Sequence, residues 1–320
     1  MRFLVVGASG FVGQHLISEL ITRSYDCIGV ARAFPKLPSC RYYEISDFSI
    51  YDNWNSLLKN VDVVIYLAAR VHIMRENSKN PLQEFLNVNL AIVEKIAIAA
   101  SGAGVKRFVY TSTAKVNGEK TAEHVFVESD KPNPEDPYSN SKLQSEEMLR
   151  NLSVRTNLKV IILRPPLVYG PGVKANFLTL MRVVNKGIPL PLGRINNKRS
   201  MIYVGNLVDA LICCATNPKA ENQTFFVSDG NDLSVADLSL KISEHMKKKC
   251  LIFPFPLKVI RFFGFVFNKS KVVNRMTDSL ELDISFIKSR IGWAPPFTVN
   301  ESISRTVNWF LSSNANTQDL

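Results

Sequence analysis

Phe3-Leu4-Val5-Val6-Gly7-Ala8-Ser9-Gly10-Phe11-Val12-Gly13 is the stretch that decides the fold. A four-residue apolar run ends in three glycines with two residues between each pair, and residues 11–23 then carry a helical pattern. Glycines allow a tight turn and a close backbone approach to a pyrophosphate. The helix that follows supplies free N–H donors and the positive end of its dipole. The stretch predicts a strand, a dinucleotide-binding turn and a helix, with Gly7, Ser9, Gly10, Phe11, Val12 and Gly13 against the cofactor.

Working outward, short runs rich in Val, Ile, Phe and Tyr recur at 2–6, 27–31, 61–67, 107–112 and 158–164, with helical patterns between most of them. The longer helical candidates are 82–101 and 137–155, the second opening with Asp136-Pro137, a capping residue followed by proline at the first helical position. Strands alternating with helices predict an α/β fold, a Rossmann-type doubly wound parallel sheet. After Arg164 prolines cluster at 165, 166, 171, 189 and 191 and the periodicity weakens, which predicts a smaller mixed α/β substrate domain. Residues 203–228 return to apolar runs. The expected division is 1–165 plus 203–229 for the dinucleotide and 166–202 plus 230–320 for the substrate.

The 320-residue chain is 46% hydrophobic, enough to bury a large core. Its apolar N-terminus runs straight into glycines without a basic leader or cleavage site, so it reads as a first strand and not a signal peptide. Five cysteines form no C-x-x-C pair, which points to reduced thiols, a cytoplasmic location and no metal site. The net charge of +11 is spread along the chain without interleaved basic and aromatic residues, so no nucleic-acid partner is expected. A basic field instead suits a cofactor and a substrate that both carry phosphates. The apolar run 251–267 is interrupted by Pro254, Pro256, Lys258 and Arg261, below the ~20 residues of a membrane span. It reads as an amphipathic helix packed on the protein, with peripheral membrane contact as the alternative.

Chemistry enters at Pro137-Tyr138-Ser139-Asn140-Ser141-Lys142. On a helix, Tyr138 and Lys142 share one face. A phenol titrates near pH ~10, and an adjacent ammonium stabilises its anion, so Tyr138 is a candidate general acid/base.

The glycine spacing, together with Asp62-Val63-Val64-Ile65-Tyr66-Leu67-Ala68-Ala69, Asn87-Val88-Asn89, Tyr110-Thr111-Ser112-Thr113-Ala114-Lys115-Val116-Asn117-Gly118 and the Tyr138/Lys142 pair, resembles the extended short-chain dehydrogenase/reductase superfamily over nearly the whole chain. The resemblance implies that Thr113 hydrogen-bonds the reacting oxygen, Tyr138 is the acid/base, and Lys142 holds the nicotinamide ribose while lowering the Tyr138 pKa. It places Leu67, Ala68, Ala69, Asn87 and Pro165 against the cofactor, with Asp47 at the adenine. At the end of the second strand, Ala31-Arg32 carries no acid for a ribose 2′-hydroxyl, and Arg32 suits a 2′-phosphate. NADP(H) is therefore favoured, with NAD(H) as the alternative.

Pro189-Leu190-Pro191-Leu192-Gly193 followed by Lys198-Arg199-Ser200-Met201-Ile202-Tyr203 resembles nucleotide-sugar epimerases, dehydratases and reductases. By that likeness Arg199 and Arg275 clamp the substrate diphosphate and Asn176 contacts diphosphate or sugar, a role suited to the guanidinium fork. The chain departs from UDP-hexose epimerases at Leu167, where many carry Asn, and at Asn117, where Tyr is frequent. With Ala69-Arg70-Val71-His72-Ile73-Met74 and Val168-Tyr169-Gly170-Pro171-Gly172-Val173-Lys174-Ala175-Asn176-Phe177, the whole looks most like the bacterial surface-polysaccharide branch, which includes reductases forming UDP-N-acetylquinovosamine. Many members of that branch are labelled UDP-glucose 4-epimerase.

The expectation is an NAD(P)H-dependent C4 reductase of a UDP-4-keto-6-deoxy-N-acetylhexosamine in O-antigen synthesis. A 4-epimerase that retains NAD is the alternative. Ala114-Lys115 after Thr113 lacks the acid of a dehydratase, and the presence of Tyr138 and Lys142 argues against a non-catalytic dinucleotide sensor. The resemblance also implies a homodimer through the helices near 82–101 and 137–155.

Overall fold

The computed structural model describes residues 1–33, 40–69, 81–121, 124–267 and 270–317. Strands β1 (Arg2–Val6), β2 (Asp26–Ala31), β3 (Arg41–Glu44), β4 (Val63–Tyr66), β5 (Arg107–Thr111) and β6 (Lys159–Arg164) are followed by the short pair β7 (Leu167–Tyr169) and β8 (Met201–Tyr203), then β9 (Thr224–Phe226). Seven of them form one sheet in the order β3-β2-β1-β4-β5-β6-β9 with every neighbouring pair parallel. β7 pairs in parallel with β8 alone. The helices are α1 (Phe11–Thr22), α2 (Trp54–Leu58), α3 (Pro81–Leu86), α4 (Ile92–Gly102), α5 (Pro137–Arg155), α6 (Ala175–Asn185), α7 (Val204–Thr216), α8 (Val235–Met246), α9 (Leu257–Val266), α10 (Ser270–Thr277), α11 (Ser285–Ile291) and α12 (Val299–Thr317).

The strand residues are apolar on both faces because helices cover both. Phe3, Val5, Val63, Ile65, Val109 and Ile161 pack with Leu16, Ile17 and Leu20 of α1 and Leu207, Val208 and Leu211 of α7. The alternate residues Leu4, Val6, Val64, Tyr66, Phe108 and Ile162 pack with Trp54 and Leu57 of α2 and Val93 and Ile96 of α4. This period-2 split is the doubly wound architecture that the apolar runs predict. A third cluster joins Tyr169, Phe177, Met181, Tyr203, Leu238, Ile242, Ile303, Val307 and Phe310, drawn from α6, α8, α12 and the short strand pair.

Two expected elements differ. The helix expected over 82–101 is broken by a π-helical turn at Asn87–Ala91 between α3 and α4. Its cause lies in α5: Asn89 Nδ2 donates to Ser141 Oγ at 3.1 Å and the Asn89 carbonyl accepts from Ser145 Oγ at 2.8 Å, contacts met by widening one turn. The run 251–267 is helical only from Leu257. Before it, the chain runs alongside Leu190, with Leu190 N donating to Leu251 O and Phe253 N to Leu190 O. The helix packs on the protein by one side, through Leu257, Ile260 and Gly264, and leaves Phe262, Phe263, Phe265, Val266 and Phe267 exposed. No helix among the described residues is long and apolar enough to cross a membrane.

Candidate active site

The sheet order reverses between β1 and β4, and the glycine turn sits at that switch point. Gly7 leaves β1 at φ +91°, its N–H donating to Val30 O of β2 at 2.8 Å. A Cβ there would stand 2.7 Å from Ala68 N, so only glycine lets the turn lie against Leu67-Ala68-Ala69 at the end of β4. A Cβ on Gly13 would run into the Gly7 carbonyl oxygen and stand 2.8 Å from the Ala8 backbone. Gly10 caps α1 without a side-chain hydrogen bond, which leaves the first-turn N–H groups at Phe11, Val12 and Gly13 for a ligand. Ser9 offers its carbonyl to Gln14 Nε2 and shapes the same turn. These residues fit a dinucleotide pyrophosphate. Gly13→Ala is expected to weaken NAD(P) binding by about tenfold or more in a calorimetric titration, since the turn must shift. Affinity within twofold of the parent would refute the cradle.

Arg32 follows β2 and is exposed. Its charge reaches Asp47, whose carboxylate is held below its usual range first by Ser49 and then by Arg32 and Lys95. The structure thus brings these two predicted cofactor residues to one rim. Pro165 follows β6, its carbonyl accepting from Ala114 N at 2.9 Å. Asn87 opens the π-helical turn, and its side chain lies outside the described residues, as do Arg70 to Met74.

Thr113, nearly buried, leaves β5 and caps the short 3-10 turn Ala114–Val116, its Oγ1 accepting from Lys115 N at 3.4 Å. α5 packs against that turn and presents Tyr138 and Lys142 one helical turn apart. The cap of α5 is a reciprocal box: Asp136 Oδ1 accepts from Ser139 N at 2.6 Å while Ser139 Oγ accepts from Asp136 N at 3.2 Å. Half-buried Tyr138 lies edge-on to Phe85 at 6.2 Å. Lys142 is 2% exposed, donates to Thr111 O at 2.9 Å and lies 4.5 Å from the Tyr110 ring centre. Burial lowers the Lys142 ammonium to about 7 against the opposing pull of Glu146. The expected lowering of the Tyr138 pKa by Lys142 is not seen in this state. Burial raises it, and the Asp136 charge raises it further.

Behind the site lies a charged cluster that sequence reasoning missed. Arg164 at the end of β6 grips the fully buried Glu146 of α5 with Nε at 2.9 Å and Nη2 at 2.5 Å, and donates to Asn117 Oδ1 at 2.9 Å. Ser112 Oγ also donates to Glu146. Asn117 is thus the partner of a buried guanidinium. The missed signal was Glu146 four residues beyond Lys142, on the same helix face.

The two predicted clamps converge. Arg199 donates from Nη1 to Asp278 O at 3.1 Å, and its pKa falls through burial and then through the charge of Arg275. Arg275 donates to Glu119 at 3.4 Å, while its buried Nε has no protein partner. The pair sets two guanidiniums close together, and one of them carries an N–H that no protein group meets. Lys115 joins them to α5 by contacting Glu119 at 2.6 Å and the Asp136 cap at 2.9 Å. Asn176 stands exposed in the first turn of α6. No metal-holding cluster occurs among the described residues, and their cysteines are free.

Residues 3–228 match the model of the NAD dependent epimerase/dehydratase family. A Vibrio cholerae protein named UDP-glucose 4-epimerase is 40% identical over 97% of this chain and 96% of its own. An Escherichia coli O157:H7 protein named N-acetyl-alpha-D-glucosaminyl-diphospho-ditrans,octacis-undecaprenol 4-epimerase is 26% identical over 96% and 94%. The solved structure of MoeE5 in complex with UDP-glucuronic acid and NAD superposes with a TM-score of 0.79 at 26% identity, covering 98% of this chain and 100% of that one. With its glycine turn, its Tyr138/Lys142 helix and these relatives, the chain is an enzyme of the NAD dependent epimerase/dehydratase family.

Proposed function

We propose that this enzyme moves a hydride at C4 of a UDP-linked hexosamine, and that its net reaction is reduction of a UDP-4-keto-6-deoxy-N-acetylhexosamine for surface-polysaccharide synthesis. The observation that carries the net direction is the end of β2, where Ala31-Arg32 presents an exposed cation and the strand itself ends without an acid. A reductase must take up a reduced cofactor and release the oxidised one in every cycle. A rim that accepts a 2′-phosphate serves that exchange.

In this reading Arg199 and Arg275 hold the UDP diphosphate, with Asn176 at its sugar side. Thr113 and Tyr138 polarise the C4 carbonyl, and Tyr138 gives its phenolic proton to the C4 oxygen. A bound reduced nicotinamide supplies the hydride. Lys142, already aimed at the end of β5 through Thr111 O, holds the ribose. Residues 166–202 plus 230–320 carry the nucleotide sugar and the rest of the chain the dinucleotide. A cytoplasmic homodimer belongs to the same proposal, its contact made through α4 and α5, where Ile98 is 54% exposed.

A second reading is 4-epimerisation with a retained NAD. It is favoured by the Vibrio cholerae relative, which is named an epimerase, and by MoeE5, which is described with NAD. The test is to supply UDP-4-keto-6-deoxy-N-acetylhexosamine with NADPH and follow loss of reduced-nicotinamide absorbance, with UDP-N-acetylglucosamine and UDP-glucose alone as parallel substrates. Consumption of NADPH supports the reductase. Product only in the parallel reactions reverses the assignment. Arg32→Ala is expected to raise the KM for NADPH about tenfold and that for NADH by less than about threefold. Equal shifts would remove the 2′-phosphate contact.

A further inference from the structure

Between Lys247 and Thr277 the sequence holds eight Lys or Arg residues and six Phe but no Asp or Glu. Within that stretch α9 is seated by its narrow side. A Cβ on buried Gly264 would come 2.7 Å from Val273 Cγ2, so the glycine permits α9 to lie close on α10. Leu257 and Ile260 turn inward to the third core cluster. What faces outward is aromatic: Phe262 is 62% exposed, Phe263 50%, Phe265 77% and Phe267 67%, with Val266 at 56%. Lys258 is also exposed and precedes Phe262 and Phe265 at helical spacings of four and seven, which puts cation and rings on one face. Arg261 is turned aside to Asp278 at 2.9 Å.

We infer that α9 docks this enzyme on an anionic bilayer, lying in the interface with its rings at the acyl boundary and Lys258 among the headgroups. Ten residues reach about 15 Å, half of a hydrocarbon core, which suits an in-plane helix and not a span. Charge decides between a lipid surface and a second copy of the chain. A two-fold contact through α9 would set the exposed Lys258 against its own copy, since Asp278, the acid next to the stretch, is already taken by Arg261. A leaflet of acidic lipids answers the exposed Lys258 and the exposed Lys247, Lys248 and Lys249. Docking there also has a geometric consequence. Asp278, which Arg261 holds, gives its carbonyl to Arg199, and Arg275 stands on α10 beneath α9, so the arginine pair lies one helix away from the headgroups.

The test is co-sedimentation of the full chain with phosphatidylcholine vesicles with and without phosphatidylglycerol at low salt. Binding is expected only with the acidic lipid. Phe262→Ser combined with Phe265→Ser is expected to weaken it by about tenfold or more, and Lys258→Gln by roughly fivefold, both with unchanged circular dichroism and dinucleotide affinity. A parent that stays in the supernatant with the acidic vesicles overturns the inference, as does a double variant that binds as well as the parent. Loss of dimer mass by light scattering in the double variant, with vesicle binding intact, would assign the face to a second copy instead.

Discussion

Tyr138→Phe is expected to lower kcat/KM for the proposed hydride transfer at C4 by about a thousandfold while leaving dinucleotide affinity within about threefold. The substitution removes one oxygen and keeps the ring, so the edge contact with Phe85 and the Asp136–Ser139 cap of α5 both persist. What is lost is the proton that must reach the C4 oxygen as hydride arrives. Burial and the nearby Asp136 charge raise the Tyr138 pKa, so the phenol is protonated across the neutral range. The sign of the pH dependence follows. Reduction, which needs the acid form, should lose nothing to titration of Tyr138 between about pH 6 and 8, so a slope in that window reports Lys142, which burial lowers to about 7. Oxidation of a C4 alcohol, which needs the phenolate, should quicken as pH rises. Steady-state rates of the variant within about tenfold of the parent would show that proton transfer does not pass through this oxygen.

Glu146→Ala is expected to cost about 3–5 kcal/mol of stability, the largest effect of any single truncation proposed for this chain. Both partners are buried, Glu146 completely and Arg164 to 2% exposure, so removing the carboxylate strands a guanidinium and leaves Ser112 without its acceptor. Replacing both partners by apolar residues, Glu146→Leu with Arg164→Met, should recover most of the loss, because the guanidinium is no longer left without its carboxylate. Urea midpoints of the two variants measure the contrast. A Glu146→Ala midpoint equal to the parent's would mean that water reaches the cluster and solvates Arg164.

The parts of the molecule that were legible in the sequence are those set by local spacing. Gly7, Gly10 and Gly13 announce the turn because each is required within one strand-helix unit, and Asp136-Pro137 announces the start of α5 because capping is a matter of three residues. The same locality puts Tyr138 and Lys142 on one face. Contacts between distant segments were not legible. Glu146 and Arg164 stand 18 residues apart on different elements, and only the packing of α5 beside β6 makes them a buried pair. Glu119 and Arg275 are 156 residues apart. The π-helical turn at Asn87–Ala91 was hidden because the apolar pattern runs through it unbroken, while the reason for it, the hydroxyls of Ser141 and Ser145, lies on another helix. α9 misled in the opposite sense, since composition alone cannot say on which side an apolar run will find its solvent.

The place of β9 in the sheet bears on how the chain is made. β6, with its Val160-Ile161-Ile162-Leu163 core, pairs with β5 on one side and on the other waits for Thr224–Phe226. Between them the ribosome must produce β7, α6, β8 and α7, roughly sixty residues, which takes about 3–12 s at about 5–20 residues per second. For that interval the nascent chain carries a hydrophobic strand edge with no neighbour, the kind of edge that recruits other strands. The polar residues that finally close it, Glu128 accepting from Phe226 N and Arg150 reaching Thr224, have already been synthesised. The last strand therefore arrives at a prepared seat, and chaperone dependence during synthesis should concentrate before residue 226.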